Sequence, residues 1–393
     1  MTPGTGAARW HYLDHAASTP LRPEAADVRD RLGRELWGNP SGAHALARHA
    51  RDHLDEARDR LAAVAGCRPG EVVFTSGGTK ADNLAVRGVL AAQPGRVLVA
   101  AVEHHAVLAP ALAAGGELVR VDRRGIVDLD HLADLLDGDV SLVSIGLVNN
   151  EVGTVQPLAE VRALMAERAP RGRLHTDAAQ ALCWLDLRTH AAPADLVTLA
   201  AHKCGGPRGV GALVVRDGVP LAAEQLGGGQ ERERRSGTQD VASAAAFAAA
   251  AEAADAERPD LVGRATAWRD AILDGVGAAV PGAVASAAPD ADRSHLAAGF
   301  ANLCVPDVDS EALLFLLEHD HRVLASAASS CASGAQERSH VLAALGLPRD
   351  LAGGSVRLSL GWTTTDEDVR AAIAGVVDAA ARLQAVARPG APA

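Results

Sequence analysis

The chain has only two lysines, Lys80 and Lys203, against 36 arginines. An arginine side chain stays charged and can neither act as a base nor form an imine, whereas a lysine amine can do both once its pKa is lowered. Lys203 follows a short apolar run, in the segment Ala-Ala-His-Lys-Cys-Gly-Gly-Pro (200–207). This makes Lys203 a candidate catalytic amine, with Lys80 as the alternative. The simplest interpretation of either residue is an ordinary surface lysine.

An aspartate precedes Lys203 in a similar setting. Asp177 lies in Thr-Asp-Ala-Ala-Gln (176–180), and both residues are expected to follow short strands. This combination suits pyridoxal phosphate (PLP), because a lysine forms the imine with that cofactor and a carboxylate pairs with its pyridinium nitrogen. The sequence therefore predicts a PLP site that contains Lys203 and Asp177.

A glycine-rich turn further upstream is suited to the cofactor phosphate. The segment Phe-Thr-Ser-Gly-Gly-Thr (74–79) is expected to follow a strand and to open a helix over 80–90. Small residues let backbone N–H groups approach an anion, and the helix N-terminus favours negative charge. Such turns are often purely structural. The prediction that Gly78 and Thr79 bind phosphate therefore depends on Asp177 and Lys203 downstream.

Three more polar residues follow other predicted strands. The imidazole of His104 could stack on a pyridine ring and relay protons. The amides of Asn150 and Gln180 could donate hydrogen bonds to the phenolic oxygen of PLP. Each has a structural alternative, since His104 could be satisfied at a strand end and the two amides could be turn residues.

A segment rich in small residues, 323–335, contains the thiol of Cys331. Most single cysteines are small buried hydrophobic residues. A cysteine in a Ser- and Gly-rich segment is more often exposed and reactive, and this composition predicts a mobile loop. The other four cysteines lie in apolar or strand-adjacent contexts and are expected to be structural.

The overall composition limits the partners. The net charge is −11 and no basic segment is interleaved with aromatic residues, which argues against direct nucleic-acid binding. The first nine residues lack an apolar signal core, and no apolar run approaches the roughly 20 residues of a membrane span. The scattered cysteines argue against a disulfide framework or a zinc site. We therefore expect a cytoplasmic protein without a bound metal.

Short apolar runs alternate with helical patterns, which is typical of a mostly parallel α/β sheet. In such sheets functional residues lie at the carboxyl ends of strands, and the candidates above follow the apolar runs. The predicted strands are Val72–Thr75, Val97–Val102, Leu118–Val121, Leu142–Val148, Leu196–Leu199 and Val210–Val215, with a further strand at Val356–Leu360 in the last third of the chain. The predicted helices include 46–64, 80–90, 242–256 and one that Thr365 caps. We predict a large cofactor domain over 21–264 and a smaller α/β domain over 265–393, which residues 1–20 complete.

Taken together, the motifs resemble those of the cysteine desulfurases, which are fold-type I (class V) PLP enzymes. The resemblance covers nearly the whole chain, from 12–20 to 356–361, and the order and spacing of its markers are specific. The markers are Gly38-Asn-Pro-Ser41, Thr75-Ser-Gly-Gly-Thr79, Glu103-His104, Asn149-Asn-Glu151, Asp177-Ala-Ala-Gln180, His202-Lys203, Gly228-Gly-Gln-Glu-Arg232, Arg235-Ser-Gly-Thr238 and Ser329-Ser-Cys-Ala-Ser-Gly334.

The resemblance implies a role for each candidate. The residues that would bind PLP are Lys203, Gly78, Thr79, His104, Asn150, Asp177, Gln180, His202 and, across the interface of a homodimer, Thr238. Among them, Lys203 would hold the cofactor, Asp177 would pair with the ring nitrogen and His104 would stack on the ring. Thr238 would reach the phosphate in the neighbouring subunit.

The implied reaction converts L-cysteine into L-alanine. Asn39 and Arg357 would hold the substrate carboxylate, a task that suits the guanidinium fork. Lys203 would remove the Cα proton, and the thiolate of Cys331 would attack the substrate sulfur. The resulting persulfide on Cys331 would pass its sulfur to an acceptor protein.

Several positions depart from the family pattern. Ala200 stands where a phosphate-binding serine is usual, and the lost hydroxyl weakens PLP binding by about 1 kcal/mol. His15 replaces a common asparagine, and Lys80 stands where an acidic residue is common. Ala328 and Ser330 alter the cysteine segment. These changes affect cofactor affinity and the choice of acceptor more than the reaction.

Two other functions compete with this one. The first is another PLP reaction on the same scaffold, such as selenocysteine lysis or kynurenine-type cleavage, although cleavage of a carbon–carbon bond needs no loop thiol. The second is a non-catalytic sulfur-relay or scaffold protein, which would have little reason to retain Lys203, Asp177 and Arg357 together. The acceptor is left open among an iron–sulfur cluster scaffold, a tRNA-thiolating enzyme and a biosynthetic sulfur carrier.

Overall fold

The computed structural model describes residues 9–289, 292–327 and 339–387. Cys331, Ala328 and Ser330 lie outside the described residues. Within the described residues, twelve strands form one sheet of seven strands, one of three and one of two.

The strands are β1 His11–Tyr12, β2 Val72–Thr75, β3 Arg96–Ala100, β4 Glu117–Val119, β5 Val140–Ser144, β6 Arg173–Asp177, β7 Leu196–Ala200, β8 Gly211–Val215, β9 Val284–Ala285, β10 Phe300–Cys304, β11 Val323–Leu324 and β12 Ser355–Ser359. The α-helices are α1 Pro23–Glu35, α2 Ala45–Ala65, α3 Gly78–Ala92, α4 His105–Ala113, α5 Leu129–Leu135, α6 Leu158–Arg168, α7 Leu187–His190, α8 Val241–Ala279, α9 Ser310–His321, α10 His340–Ala344, α11 Arg349–Ala352 and α12 Asp366–Ala387. Single 3₁₀ turns cover Pro69–Glu71, Ala201–Lys203 and Glu231–Glu233.

The seven-stranded sheet has the order β2-β8-β7-β6-β5-β3-β4. The five strands from β7 to β4 are parallel, and β8 runs antiparallel to both of its neighbours. Alternate side chains of β8 enter two different hydrophobic clusters, so both faces of the sheet are covered. This confirms the predicted α/β class, and it brings the carboxyl ends of the parallel strands to one edge.

The strand that ends at Asp177 confirms the short strand expected before that residue, although no apolar run marks it. Leu174 is its one large aliphatic residue, while the side chains of His175 and Thr176 are fully buried. The His175 ring lies 2.7 Å from Ser144 Oγ and 3.1 Å from Thr198 Oγ1, on the two neighbouring strands. These hydrogen bonds make the burial of His175 possible, and a search for apolar runs does not detect a strand that is buried in this way.

Helices complete the two outer layers. Helix α3 packs across β7 and β8, and α8 packs against α1 and α2. The alanine-rich start of α8 is buried throughout 244–251, where small side chains permit close helix packing. Helix α8 continues to Ala279, beyond the predicted end and through the predicted domain boundary at 264. The division into two domains stays a prediction.

The first and last parts of the chain meet in space. Strand β1 pairs with β11, and Asp14 forms a bridge with Ser359 of β12. Helix α12 begins as predicted after Thr365, whose N–H donates to Asp368 Oδ2 at 2.8 Å. None of the helices in the described part of the chain combines the length and the apolar character that a membrane span requires.

Candidate active site

A cavity of about 790 Å³ opens at the carboxyl ends of the parallel strands. Its walls come from the start of α3, the ends of β6 and β7, the turn after β5, and the N-terminal turn at 16–18. The predicted site residues that line it are Gly78, Thr79, His104, Asn150, Asp177, Gln180, His202, Lys203 and Arg357. The topology therefore brings together residues that are up to 279 positions apart in the sequence.

Lys203 ends the 3₁₀ turn that follows β7. Its Nζ atom donates to the main-chain oxygens of Ala16 at 2.5 Å and Ala17 at 3.1 Å. Burial and, to a smaller extent, the charge of Arg357 lower the pKa of this amine to about 8, against the opposing effects of Asp177 and Asp14. An amine with this pKa is neutral in an appreciable fraction of molecules near neutral pH, so it can act as a base.

Asp177 belongs to a group of three carboxyl groups at the bottom of the cavity. Its oxygen Oδ1 accepts a hydrogen bond from Ala179 N at 2.8 Å. Burial raises the pKa of Asp177, while His104 and Lys203 lower it. Burial also raises the pKa of Glu103, to about 8, and that of Asp82. Asp82 Oδ1 is a buried atom without a hydrogen-bond partner among the described residues.

His104 stands at the start of α4. Its Nδ1 accepts a hydrogen bond from Ala106 N at 3.1 Å and so caps the helix. In the neutral ring this bond places the hydrogen on Nε2. Desolvation lowers the pKa of His104, with Lys203 and the neighbouring histidines acting in the same direction. The ring is therefore neutral near pH 7, as a stacking partner for an aromatic ring can be.

The opposite end of the cavity is suited to an anion. Gly77 precedes the 15-residue helix α3 and has φ +139°. No atom lies within 4 Å of the position that a Cβ would take on this residue. A Cβ on Gly78 would lie 3.3 Å from that of Ala200, so the turn and β7 nearly touch. The first N–H groups of α3 are open for an anion there, and the ring of His202 lies 3.4 Å from Ser18 Oγ.

Arg357 of β12 is buried and reaches across to the N-terminal segment. Its guanidinium donates to Asn150 O and to Asp14 Oδ1, both at 2.8 Å. Its Nε atom is buried without a hydrogen-bond partner among the described residues. The group is therefore positioned at the cavity wall with bonding capacity left over, as a carboxylate site requires.

Two predicted site residues are not among those that line the cavity. Asn39 is exposed in the loop before α2, where its Oδ1 accepts a hydrogen bond from Ser41 N. Thr238 is exposed in the loop before α8. Their predicted roles stay predictions, and for Thr238 the sequence resemblance placed the role in a partner subunit.

The sequence gives no role for the N-terminal turn at 14–18, although the resemblance to the family begins in this segment. Ala16 O accepts hydrogen bonds from both Lys203 and Gln180, so Gln180 contacts this turn as well as the cavity. Asp14 pairs with Arg357. Main-chain oxygens have no signature in a sequence, and the Asp14–Arg357 pair joins residues 343 positions apart.

The residues present fit PLP. A buried carboxylate at the inner end suits a pyridinium nitrogen, and the glycine turn at the outer end suits a phosphate. Arg357, whose Nε atom has no partner, and Lys203, whose amine has a lowered pKa, line the same cavity. Among the described residues there is no group of histidine, cysteine or carboxylate side chains that could hold a metal ion.

Known proteins resemble this chain over most of its length. The family model "Aminotransferase class-V" matches residues 11–371. An IscS-like cysteine desulfurase from Mycobacterium tuberculosis is 39% identical over a 390-residue alignment that covers 96% of this chain and 98% of that protein. A solved structure of a NifS-like protein has a TM-score of 0.86 and 29% identity, covering 94% of this chain and 99% of that one. A structure described as SspA in complex with cysteine has a TM-score of 0.76 and 28% identity, covering 89% and 98%.

These matches confirm the predicted family, fold type and cofactor. The structural neighbours share the sheet and the helical layers described above, and the curated relative matches the chain from end to end. The chain belongs to the class V aminotransferase family of PLP enzymes and, within it, to the cysteine desulfurases.

Proposed function

We propose that this protein is a PLP-dependent cysteine desulfurase. It converts L-cysteine into L-alanine and passes the sulfur, through a persulfide on Cys331, to an acceptor protein. The observation that carries the proposal is the meeting of the Lys203 amine, the Asp177 carboxylate and the Arg357 guanidinium at one cavity. The family supports it, and so does the neighbour that was solved with cysteine.

Each residue has a proposed role that follows from its position in the cavity. When bound, PLP supplies the electron sink for deprotonation of the substrate Cα. Asp177 holds the ring nitrogen, and the N-terminus of α3 with Thr79 and His202 holds the phosphate. Arg357 orients the substrate carboxylate, and Lys203 takes the proton from Cα. The lowered pKa of Lys203 suits this last task, because a base must be unprotonated at working pH.

Cys331 is the proposed nucleophile on sequence grounds, since it lies outside the described residues. The four cysteines that the structure describes are poor candidates. Burial raises the pKa of Cys67 and of Cys183 to about 11, and it also raises the pKa of Cys204 and of Cys304. Because the thiolate is the reactive form, these four thiols stay inert near neutral pH.

A homodimer with shared sites is the second part of the proposal. Asn39 and Thr238 are exposed on loops whose neighbouring residues line a common depression of about 320 Å³. Trp37 and Leu226, in or near these loops, are 80% and 84% exposed. Large exposed apolar residues beside unused site residues indicate a surface that a second copy covers.

A buried ion pair fixes the loop that presents Thr238. The guanidinium of Arg58 makes two 2.9 Å bonds to the carboxylate of Glu231, which also accepts the N–H of Phe74. Glu231 and the two residues after it all have positive φ, a conformation that needs such support. The loop is therefore held against β2 before any partner binds.

The two lysines provide a direct test of the proposed reaction. Lys203→Arg keeps the charge but removes the titratable amine, and we expect it to abolish cysteine-dependent alanine formation. Lys80→Arg is the matched control, because arginine can keep the pair that Lys80 forms with Glu224. Alanine is measured by chromatography after incubation with L-cysteine. Undiminished turnover in Lys203→Arg would contradict the assignment.

The phosphate end can be tested by restoring a hydroxyl. Ala200 faces Gly78 at the start of α3, so Ala200→Ser should add one hydrogen bond to the phosphate and tighten PLP binding about fivefold. Ala200→Val adds bulk without a donor and should weaken binding. Absorbance titration of the cofactor-free protein with PLP measures both. Equal affinities in all three proteins would show that position 200 does not contact the phosphate.

Cys331→Ser separates sulfur transfer from cofactor chemistry. PLP binding should be retained, whereas sulfur release should fall at least about 100-fold, as expected when a covalent nucleophile is lost. After cysteine treatment, mass spectrometry of the wild type should find the added sulfur on the peptide that contains Cys331. The peptides with Cys183 and Cys204 serve as internal controls. Labelling of Cys204 instead would refute the role of Cys331.

Subunit mixing tests the shared site. A Thr238→Ala chain and a Lys203→Ala chain should form heterodimers with one intact and one doubly damaged site. Activity of the mixture should therefore exceed the average of the two separate variants. Light scattering measures the mass of each preparation. A fully active monomer would rule out the shared site.

A further inference from the structure

The amine of Lys203 has two main-chain acceptors, Ala16 O and Ala17 O, at 2.5 and 3.1 Å. A neutral amine has two N–H bonds and one lone pair. Two acceptors therefore use both hydrogens and leave the lone pair as the one free position on nitrogen. These two hydrogen bonds fix the orientation of the amine, which would otherwise rotate freely at the end of a flexible lysine side chain.

The turn that supplies these oxygens is braced from two sides. The hydroxyl of Tyr12 lies 3.0 Å from Asp14 O and 2.6 Å from Ser18 O, so it spans the turn. Ser359 Oγ, on β12, accepts the N–H of Ala16 at 2.9 Å. Thr19 N donates to His202 O, next to Lys203 in the chain. The oxygens and the amine thus belong to one hydrogen-bonded unit.

Charged and titratable groups surround the amine. Arg357 from β12 opposes a positive charge on Lys203. The rings of His104 and His202 also lie nearby, and burial together with Lys203 lowers the pKa of both. Asp177 from β6 and Asp14 from the turn favour it. Carbonyl oxygens bind an ammonium more strongly than a neutral amine, so Ala16 and Ala17 act with the two aspartates.

We propose that the turn at 14–18 binds and orients the Lys203 amine during proton transfer, and that Tyr12 and Ser359 are positioning residues for this turn. The proposal rests on the proposed function, in which Lys203 is the base. The lone pair of the amine that the turn holds forms the new N–H bond while the substrate Cα–H bond breaks. The electron pair of the Cα–H bond stays on the substrate side. The turn then holds the ammonium by the same two oxygens.

Because the chain has only two lysines, the effect of the turn on the pKa of the Lys203 amine can be measured directly. Labelling the full-length, cofactor-free chain with [ε-¹³C]lysine gives two side-chain signals, which the Lys80→Arg variant assigns. A pH titration by NMR then yields the pKa of the Lys203 amine in wild type, Tyr12→Phe and Ser359→Ala. Ser355→Ala is the matched control, because it removes a buried hydroxyl from the same strand.

We expect the pKa of Lys203 to fall by about one pH unit in Tyr12→Phe and in Ser359→Ala, since the ammonium loses part of its support. The Lys80 signal and the Ser355→Ala variant should be unchanged. An unaltered pKa in both turn variants, or an equal fall in Ser355→Ala, overturns the proposal. If Ser359→Ala does not fold, Tyr12→Phe decides alone. The measurement needs no turnover, so its failure is distinct from a failure of the proposed reaction.

Discussion

The site depends on keeping one carboxylate charged in a place where water is scarce. Asp177 ends a buried strand, and burial raises its pKa as it does for Asp82 and Glu103 nearby. A buried carboxyl group stays ionised only when cations or hydrogen-bond donors lie close. Here the charge of Lys203 and the N–H of Ala179 provide part of that support. Within the proposed function, the pyridinium of PLP would complete it, so the cofactor would also stabilise the carboxylate at the end of this strand.

The sequence predicts the parts of this arrangement that follow from local chemistry. Apolar runs located most of the sheet, and glycines before a helical pattern located the start of α3. The strand of Asp177 has no apolar run that marks its extent, because its buried His175 hydrogen-bonds to hydroxyl groups of the two neighbouring strands. Helix α8 continued past its alanine-rich part, where the pattern alone gave no reason to extend it. Local patterns reveal burial by apolar side chains but not burial by hydrogen bonding.

The candidate site shows the same division. Nine of the predicted residues line one cavity. Eight of them end or follow strands of the large sheet, whose carboxyl ends converge, whereas Arg357 comes from β12 of the three-stranded sheet. The N-terminal turn was missed, because its contribution is made by main-chain oxygens and by a pairing that spans nearly the whole chain. Asn39 and Thr238 lie outside the cavity, and within the proposed homodimer they would serve a site that a second copy completes. A sequence motif can mark a residue for the assembled enzyme, whereas a single chain shows only the surface from which that residue projects.

The arginine-rich composition also bears on how the base works. Arg357 lowers the pKa of Lys203, and it is the residue that we assign to the substrate carboxylate. Before substrate binds, the charge of Arg357 still lowers the pKa of the amine although Asp14 pairs with the guanidinium, and this helps to keep the amine neutral and ready to react. Within the proposed function, a bound carboxylate offsets the charge of Arg357, so the same amine becomes more basic when it must accept the proton. An arginine suits this task because its own charge does not change with pH, which leaves Lys203 as the group that responds to the substrate.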